Sequence, residues 1–163
     1  MTKSSLIRVL LAEDHTIVRQ ALHSLLQTYP NIDVVGEASD GEEVLAKVGK
    51  LHPRVVVMDL NMPKMDGITA TRLIRQNYPG IAVVGLTVNP PGYAVDVMLQ
   101  AGAFEVLTKD RAATELYGAI QRAVASVQPI LVLEEDPVDS ADAEASSEQK
   151  TGQAGEPAPA DEP

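Results

Sequence analysis

Cysteine and tryptophan are both absent from this chain of 163 residues. Without cysteine there are no disulfides, no thiolate nucleophile and no Cys-bound zinc, and the composition fits a reducing compartment. Aromatics are scarce as well, with one Phe and four Tyr, so an aliphatic core of Val, Leu, Ile and Ala is expected. Long apolar runs are missing. The first, Leu6-Ile7-Arg8-Val9-Leu10-Leu11-Ala12, is broken by Arg8 and ends in Glu13-Asp14. It is too short to span a bilayer and has no signal-peptide cleavage pattern, which predicts a soluble cytoplasmic protein with no membrane partner. Neither a Gly-x-Gly-x-x-Gly nor a Walker pattern occurs, so no nucleotide cradle is expected.

Positive charge is also short, and unevenly so. The net charge is −10. Residues 134–163 hold ten acids against Lys150 alone, while residues 1–133 are nearly balanced, with thirteen acids and twelve bases. No basic stripe forms, so direct binding to DNA is not expected. The acidic segment consists of Glu, Asp, Ala, Ser, Gly and Pro, with Val138 its only large apolar residue. Such a composition cannot bury enough surface to offset its ordering entropy. A domain over 5–129 followed by a disordered acidic, Pro/Ala/Ser-rich tail over 130–163 is the expected division. Ile130-Leu131-Val132-Leu133 is a candidate extended segment against the domain.

Within the first part, short apolar runs alternate five times with amphipathic stretches. Strands are predicted at about 6–12, 32–36, 54–58, 81–86 and 104–108. Val55-Val56-Val57-Met58 and Ile81-Ala82-Val83-Val84 are continuously apolar, as in strands buried on both faces. Helices are predicted at 15–27, 41–51, 67–77, 93–101 and 112–127. The first places Ile17, Val18, Ala21, Leu22, Leu25 and Leu26 on one face, and the last places Ala113, Leu116, Ala119, Ile120, Ala123, Val124 and Val127 there. Pro30-Asn31, His52-Pro53 and Pro79-Gly80 punctuate the first three helices. Strand–helix alternation implies an α/β fold, a parallel sheet covered on both faces. Five such units suit the doubly wound, flavodoxin-like (βα)5 order 2-1-3-4-5.

Ligands of an open parallel sheet bind beyond the carboxyl ends of its strands. Those ends carry Glu13-Asp14, Asp59, Thr87 and Lys109. In the order 2-1-3-4-5 they converge on one cleft. Three close carboxylates repel and tend to retain protons unless a cation relieves them. Oxygen ligands of modest number favour Mg²⁺. A hard cation, an ammonium and a hydroxyl together suit phosphoryl oxygens.

The segments Arg8-Val9-Leu10-Leu11-Ala12-Glu13-Asp14-His15, Met58-Asp59-Leu60-Asn61-Met62-Pro63-Lys64-Met65-Asp66-Gly67, Leu86-Thr87 and Ala101-Gly102-Ala103 with Lys109 resemble the receiver domains of two-component response regulators. The resemblance spans about residues 6–128. Lys109-Asp110 is similar to the branch that usually carries a LuxR-type helix-turn-helix, although the acidic residues after 130 are not such a domain.

The resemblance implies a single-domain response regulator in a phosphorelay. Asp59 is then the phosphoacceptor, and Asp14 and Asp59 ligate Mg²⁺ directly. Glu13 acts through water, and the backbone carbonyl of Asn61 is a further ligand. Lys109 and Thr87 bind phosphoryl oxygens, with Thr87 carrying the switch. Asn61 and Asn89 influence the rate of hydrolysis, an autophosphatase property rather than turnover of a substrate. The partners implied are a sensor histidine kinase or phosphotransfer protein, an unidentified downstream protein and a phosphorylation-dependent homodimer. Output is expected on the face of the fourth helix, fifth strand and fifth helix, with Tyr93, Val97 and Glu105 exposed.

The sequence departs from the family pattern at Val106, where an aromatic residue usually stands three positions before the lysine, and at Glu105, often Gly. The stretch Val88-Asn89-Pro90-Pro91-Gly92 is rich in Pro. Phe104 and Tyr93 are the candidates to replace the missing aromatic. These departures support an alternative, a receiver-like binding module that works without phosphate. A flavin carrier on the same fold and a transcription regulator of the LuxR branch are further readings.

Each residue also has a plainer reading. Asp59 could cap a helix, Glu13-Asp14 could complement a helix dipole, Lys109 could be a surface lysine and Thr87 an ordinary strand residue. Their joint placement argues otherwise. Asp66 is expected to cap the third helix, with Gly67 allowing a tight turn. His15, His23 and His52 lack metal spacing. His23 and His52 are read as surface residues, and His15 as a neighbour that tunes the site.

Overall fold

The computed structural model of the chain describes residues 5–88 and 92–127. The expectations for Ile130–Leu133 and for residues 134–163 lie outside the described residues, as does Asn89. Five strands, β1 (Ile7–Ala12), β2 (Ile32–Ala38), β3 (Val55–Asp59), β4 (Ala82–Thr87) and β5 (Glu105–Thr108), alternate with five helices. These are α1 (Thr16–Gln27), α2 (Gly41–Leu51), α3 (Gly67–Asn77), α4 (Gly92–Ala101) and α5 (Ala112–Ser126), with a 3₁₀ turn at Lys109–Arg111. Every strand pair is parallel, and the order is β2-β1-β3-β4-β5. The boundaries fall within two residues of the predicted ones, and the sheet order is the one expected.

Period-2 alternation divides the sheet residues between two cores. Val9, Leu11, Val55, Val57, Val84 and Leu86 point to one face, where Leu22 and Leu26 of α1 and Leu116, Ala119 and Ile120 of α5 cover them. Leu10, Ala12, Val56, Met58 and Val83 point to the other, under Val44 and Val48 of α2, Ala70 and Ile74 of α3 and Met98 of α4. Because both faces are covered, β3 and β4 are buried along their whole length, as their unbroken apolar runs require.

Local chemistry fixes the helix ends. The Asp40 carboxylate accepts the Glu43 N–H at 2.8 Å, and Asp66 accepts the Thr69 N–H at 2.7 Å, so Asp66 is the expected cap. His52 closes α2 in the left-handed region, with φ 49°, and Pro53 follows it. Gly67 serves a different purpose from the expected tight turn. A Cβ there would lie 2.0 Å from the Asp59 carbonyl oxygen, so the glycine permits close approach of α3 to the end of β3.

The apolar stripe of α1 divides in two. Leu22 and Leu26 are core, whereas Ile17 is 80% exposed and Ala21 is also exposed. Ile17, Ala21 and Ala113 line an open apolar groove between α1 and the start of α5, together with Val18, Leu22 and Leu25, which also belong to or pack against the core. The periodicity marks the whole stripe, but α5 covers only the part facing Leu116 and Ile120. His23 also differs from its reading as a surface residue. It is half-buried and paired with the Glu37 carboxylate, which Arg19 holds from the other side at 3.0 Å. Pairing with His23 holds the Glu37 carboxyl below its ordinary range, and a hydrogen bond from Lys47 does the same for Glu43, lowering it to about 2.

Two substitutions test which apolar positions are core. Leu10→Ala should cost about 2–5 kcal/mol in urea unfolding, the range for truncating a buried leucine. Ile17→Ala should change stability by no more than about 0.5 kcal/mol, as at an exposed site.

Candidate functional site

The carboxyl ends of β1, β3, β4 and β5 meet at one edge of the sheet, and the predicted site residues lie there. Glu13 and Asp14 follow β1, Asp59 is the last residue of β3, and Thr87 is the last of β4. Lys109 begins the 3₁₀ turn directly after β5 rather than ending the strand. Register places them side by side. Ala12 pairs with Met58, one residue before Asp59, and Asp59 pairs with Leu86, one before Thr87. Leu86 pairs with Leu107, two before Lys109. The Leu60 N–H donates to the Leu86 carbonyl at 3.1 Å and tethers the chain leaving Asp59 to β4.

Burial makes this edge chemically unusual. Glu13 is fully buried and Asp59 is 2% exposed. The Lys109 ammonium lies 2.6 Å from Glu13 Oε1 and 3.4 Å from Asp59 Oδ2, so one cation faces two buried carboxylates. Arg19 donates to the Glu13 backbone carbonyl at 2.7 Å and fixes the turn after β1. The Asn61 N–H donates to Asp59 Oδ1 at 3.2 Å, which orients the carboxylate toward the mouth of the site. Burial, reinforced by the nearby Glu13 charge, pushes the Asp59 carboxyl up to about 7. Burial pulls the Lys109 ammonium down, but its contacts with Glu13 and Asp59 outweigh this and hold it above its ordinary value.

The donor set fits a hard divalent cation. Among the described residues, Glu13, Asp14, His15 and Asp59 each offer a ligand atom, and these atoms lie within 4.8 Å of one another. Asp14 Oδ1 is buried without a hydrogen bond, a cost that a bound cation would remove. Glu13 is the more tightly engaged by Lys109, at 2.6 Å against 3.4 Å for Asp59, which leaves Asp14 and Asp59 the more available acids.

His15 stands beside the acidic pair, as its position in the sequence suggested. Its Nδ1 lies 3.2 Å from Glu13 Oε2 and 3.4 Å from Asp14 Oδ1. The signal was its position directly after the acidic pair. Asn61 sits on the exposed rim, and Thr87 is buried at 4% exposure. Lys64 adopts φ 68° in the loop after Asp59, and its ammonium stands 3.6 Å from the buried Asp40. The Gly41 N–H donates to the Met65 carbonyl at 3.0 Å, so this loop also rests on the start of α2.

Comparison with known proteins gives the class. Residues 9–121 match the family described as response regulator receiver domain. The chain belongs to that family. It is 40% identical over 116 residues to "Response regulator GacA" of Pseudomonas protegens, covering 71% of this chain and 54% of that protein. It is 41% identical over 118 residues to "Transcriptional regulatory protein LiaR" of Bacillus subtilis, covering 72% of this chain and 56% of that protein. The chain therefore spans about half the length of these relatives. Among solved structures it is similar to a LuxR-family two-component response regulator from Aurantimonas sp. SI85-9A1, with a TM-score of 0.71 and 34% identity. That match covers 76% of this chain and 89% of the other. The signal receiver domain of NarL from Mycobacterium tuberculosis also has a TM-score of 0.71, at 29% identity, covering 74% and 98%. Among the described residues no helix is long and apolar enough to cross a membrane.

The raised Asp59 pKa has a definite pH signature. Between about pH 4 and pH 7 the folded chain holds a proton there that an unfolded aspartate has already released, so stability falls as pH rises through that window. Asp59→Asn removes the ionisation. Its stability relative to the parent chain should be small at pH 4, grow through pH 7 and level off near pH 8. Urea unfolding in metal-free buffer at these pH values checks this, and a difference independent of pH would contradict it.

Proposed function

We propose that the chain is a phosphoryl-accepting switch, in which Asp59 is the acceptor and the neighbouring carboxylates hold Mg²⁺. The observation that carries this reading is the convergence of Glu13, Asp14 and Asp59, with the Lys109 ammonium set against Glu13 and Asp59. An Asp59 oxygen attacks phosphorus in line. The P–O bond of an acyl phosphate, or the P–N bond of a phosphohistidine, breaks on the opposite side, and the carboxylate becomes an acyl phosphate. A divalent cation held by Asp14, Asp59 and the Asn61 carbonyl, with Glu13 acting through water, would supply positive charge to the phosphoryl oxygens. Lys109 binds a second phosphoryl oxygen and exchanges part of its contact with Glu13 for it. Thr87 offers a hydroxyl donor from the next strand.

Nothing in this reading turns over a substrate. Loss of the phosphoryl group is hydrolysis of the protein's own acyl phosphate, at a rate set by how the Asn61 rim admits water. The donor is a sensor histidine kinase or a phosphotransfer protein, and the signal leaves by protein contact, including a phosphorylation-dependent homodimer, in the cytoplasm. Tyr93 is exposed, while Val97 and Glu105 are only half-exposed on the face expected for output. A second reading, a receiver-like module that works without phosphate, is favoured by Val106 standing where the family places an aromatic.

Intact mass after incubation with acetyl phosphate separates the two. The parent chain should gain one phosphoryl mass only with Mg²⁺ present, and Asp59→Asn should gain none. Lys109→Ala should slow labelling by at least about tenfold, on the scale of losing one preorganised charge at a reacting centre. Labelling that persists in Asp59→Asn would place the acceptor elsewhere. If neither acetyl phosphate nor beryllofluoride modifies or binds the parent chain, the phosphate-independent module becomes the better reading.

A further inference from the structure

We propose that Glu37, on an edge strand outside the carboxylate cluster, is a positioning residue for the cation site: it aims Arg19, and Arg19 fixes the peptide from which Asp14 projects. The inference rests on the cation-binding reading of Glu13, Asp14 and Asp59. β2 lies at the edge of the sheet, beside β1. Glu37 pairs in register with Leu11, so its side chain faces the α1 side of the sheet. There α1 presents Arg19 and His23, one turn apart, and the Glu37 carboxylate is divided between them. Oε1 accepts the Arg19 Nε–H at 3.0 Å, and Oε2 faces the His23 ring. Lys47 bonds the Glu37 backbone carbonyl from α2, which anchors the strand and leaves the carboxylate to α1. Arg19 reaches the site with a second donor, Nη1, which lies 2.7 Å from the Glu13 carbonyl oxygen. A guanidinium is a rigid plane, so holding its Nε–H sets the direction of Nη1 as well.

The carbonyl that Arg19 holds belongs to the peptide joining Glu13 to Asp14. On the other side of Glu13, its N–H donates to the Ala38 carbonyl at 2.9 Å. β2 thus supplies both restraints on this turn, one directly and one through Glu37. The Glu13 side chain is held independently, by Lys109 at 2.6 Å and by the His15 N–H at 3.1 Å. Asp14 has less to hold it. Its Oδ1 is buried without a hydrogen bond, and the His15 ring 3.4 Å away is itself 70% exposed. The place of the Asp14 carboxylate is therefore set by the backbone that carries it. A cation ligated by Asp14 feels any rotation of that peptide, and so feels whether Glu37 keeps Arg19 aimed. Removing an outer partner that orients a metal ligand typically changes affinity by about 10–100-fold.

Calorimetric titration of Mg²⁺ into the whole chain at about pH 8.5, above the Asp59 pKa, tests this. Arg19→Ala should weaken binding by about tenfold, as for loss of an orienting partner. Charge alone predicts the opposite, because removing a nearby cation favours a divalent one. Glu37→Ala should weaken binding several-fold. Glu37→Gln loses the same charge but keeps an oxygen for the Arg19 Nε–H, and should recover most of that loss. The Glu37 side chain is 33% exposed, so neither substitution opens a hole in the core. In the Arg19→Ala background, Glu37→Ala should cost no more than Glu37→Gln costs in the parent chain, because the path through Arg19 is already gone. Unchanged or tighter binding in Arg19→Ala would overturn the proposal. So would unchanged binding in Glu37→Ala, equal losses in Glu37→Ala and Glu37→Gln, or a Glu37→Ala loss that persists in full without Arg19. Absence of saturable Mg²⁺ binding by the parent chain would instead remove the cation-binding reading, and this inference with it.

Discussion

Buried like charge at one edge of the sheet is the constraint on which the rest of the structure depends. A parallel sheet brings all its strand ends of one kind together, and here β1 and β3 deliver Glu13, Asp14 and Asp59 to the same few ångströms. Two carboxylates about 4 Å apart repel by about 4 kcal/mol at the effective dielectric of a protein surface. Lys109 offsets part of this, but one ammonium cannot neutralise three acids. Burial first, and then the nearby Glu13 charge, raises the Asp59 pKa, and Asp14 Oδ1 is left buried without a hydrogen bond. The site is therefore poised to accept positive charge.

The remainder of the fold holds that arrangement in place. β3 is buried along its entire length between two aliphatic cores, so Asp59 cannot relax toward solvent by strand movement. The loop that follows is held at three points. Leu60 bonds to β4, Gly67 lies against the Asp59 carbonyl, and Met65 accepts the N–H of Gly41 on α2. Arg19 secures the other side by holding the Glu13 carbonyl. The strain of close charge is thus borne by packing far larger than the site. Stability is lent to function, in the sense that the least favourable electrostatics occupy the best-supported strand end.

Much of this could be read from the sequence, for physical reasons that differ by element. Strands β3 and β4 were legible because burial on both faces demands unbroken apolar runs, which no amphipathic helix has. Asp59, Glu13, Thr87 and Lys109 were legible because the doubly wound order converts strand ends into neighbours. Periodicity was less informative about α1, since it identifies an apolar stripe but not which helix covers it. Ile17 and Leu22 look alike in sequence, and only the position of α5 separates them. His23 was obscured because its partner, Glu37, lies on β2 at no regular spacing. The role of Gly67 was obscured because a close backbone approach and a tight turn leave the same residue behind.

The central claim is that these carboxylates form a cation site whose affinity is linked to the Asp59 proton. Calorimetric titration of Mg²⁺ into the metal-free chain, in two buffers of different ionisation heat, tests it most directly. The account predicts one saturable site per chain, lost or greatly weakened in Asp14→Asn. Proton release should accompany binding near pH 6.5 and disappear by about pH 8.5, above the Asp59 pKa. Absence of saturable binding, binding indifferent to Asp14, or proton release that does not vary across this range would contradict it.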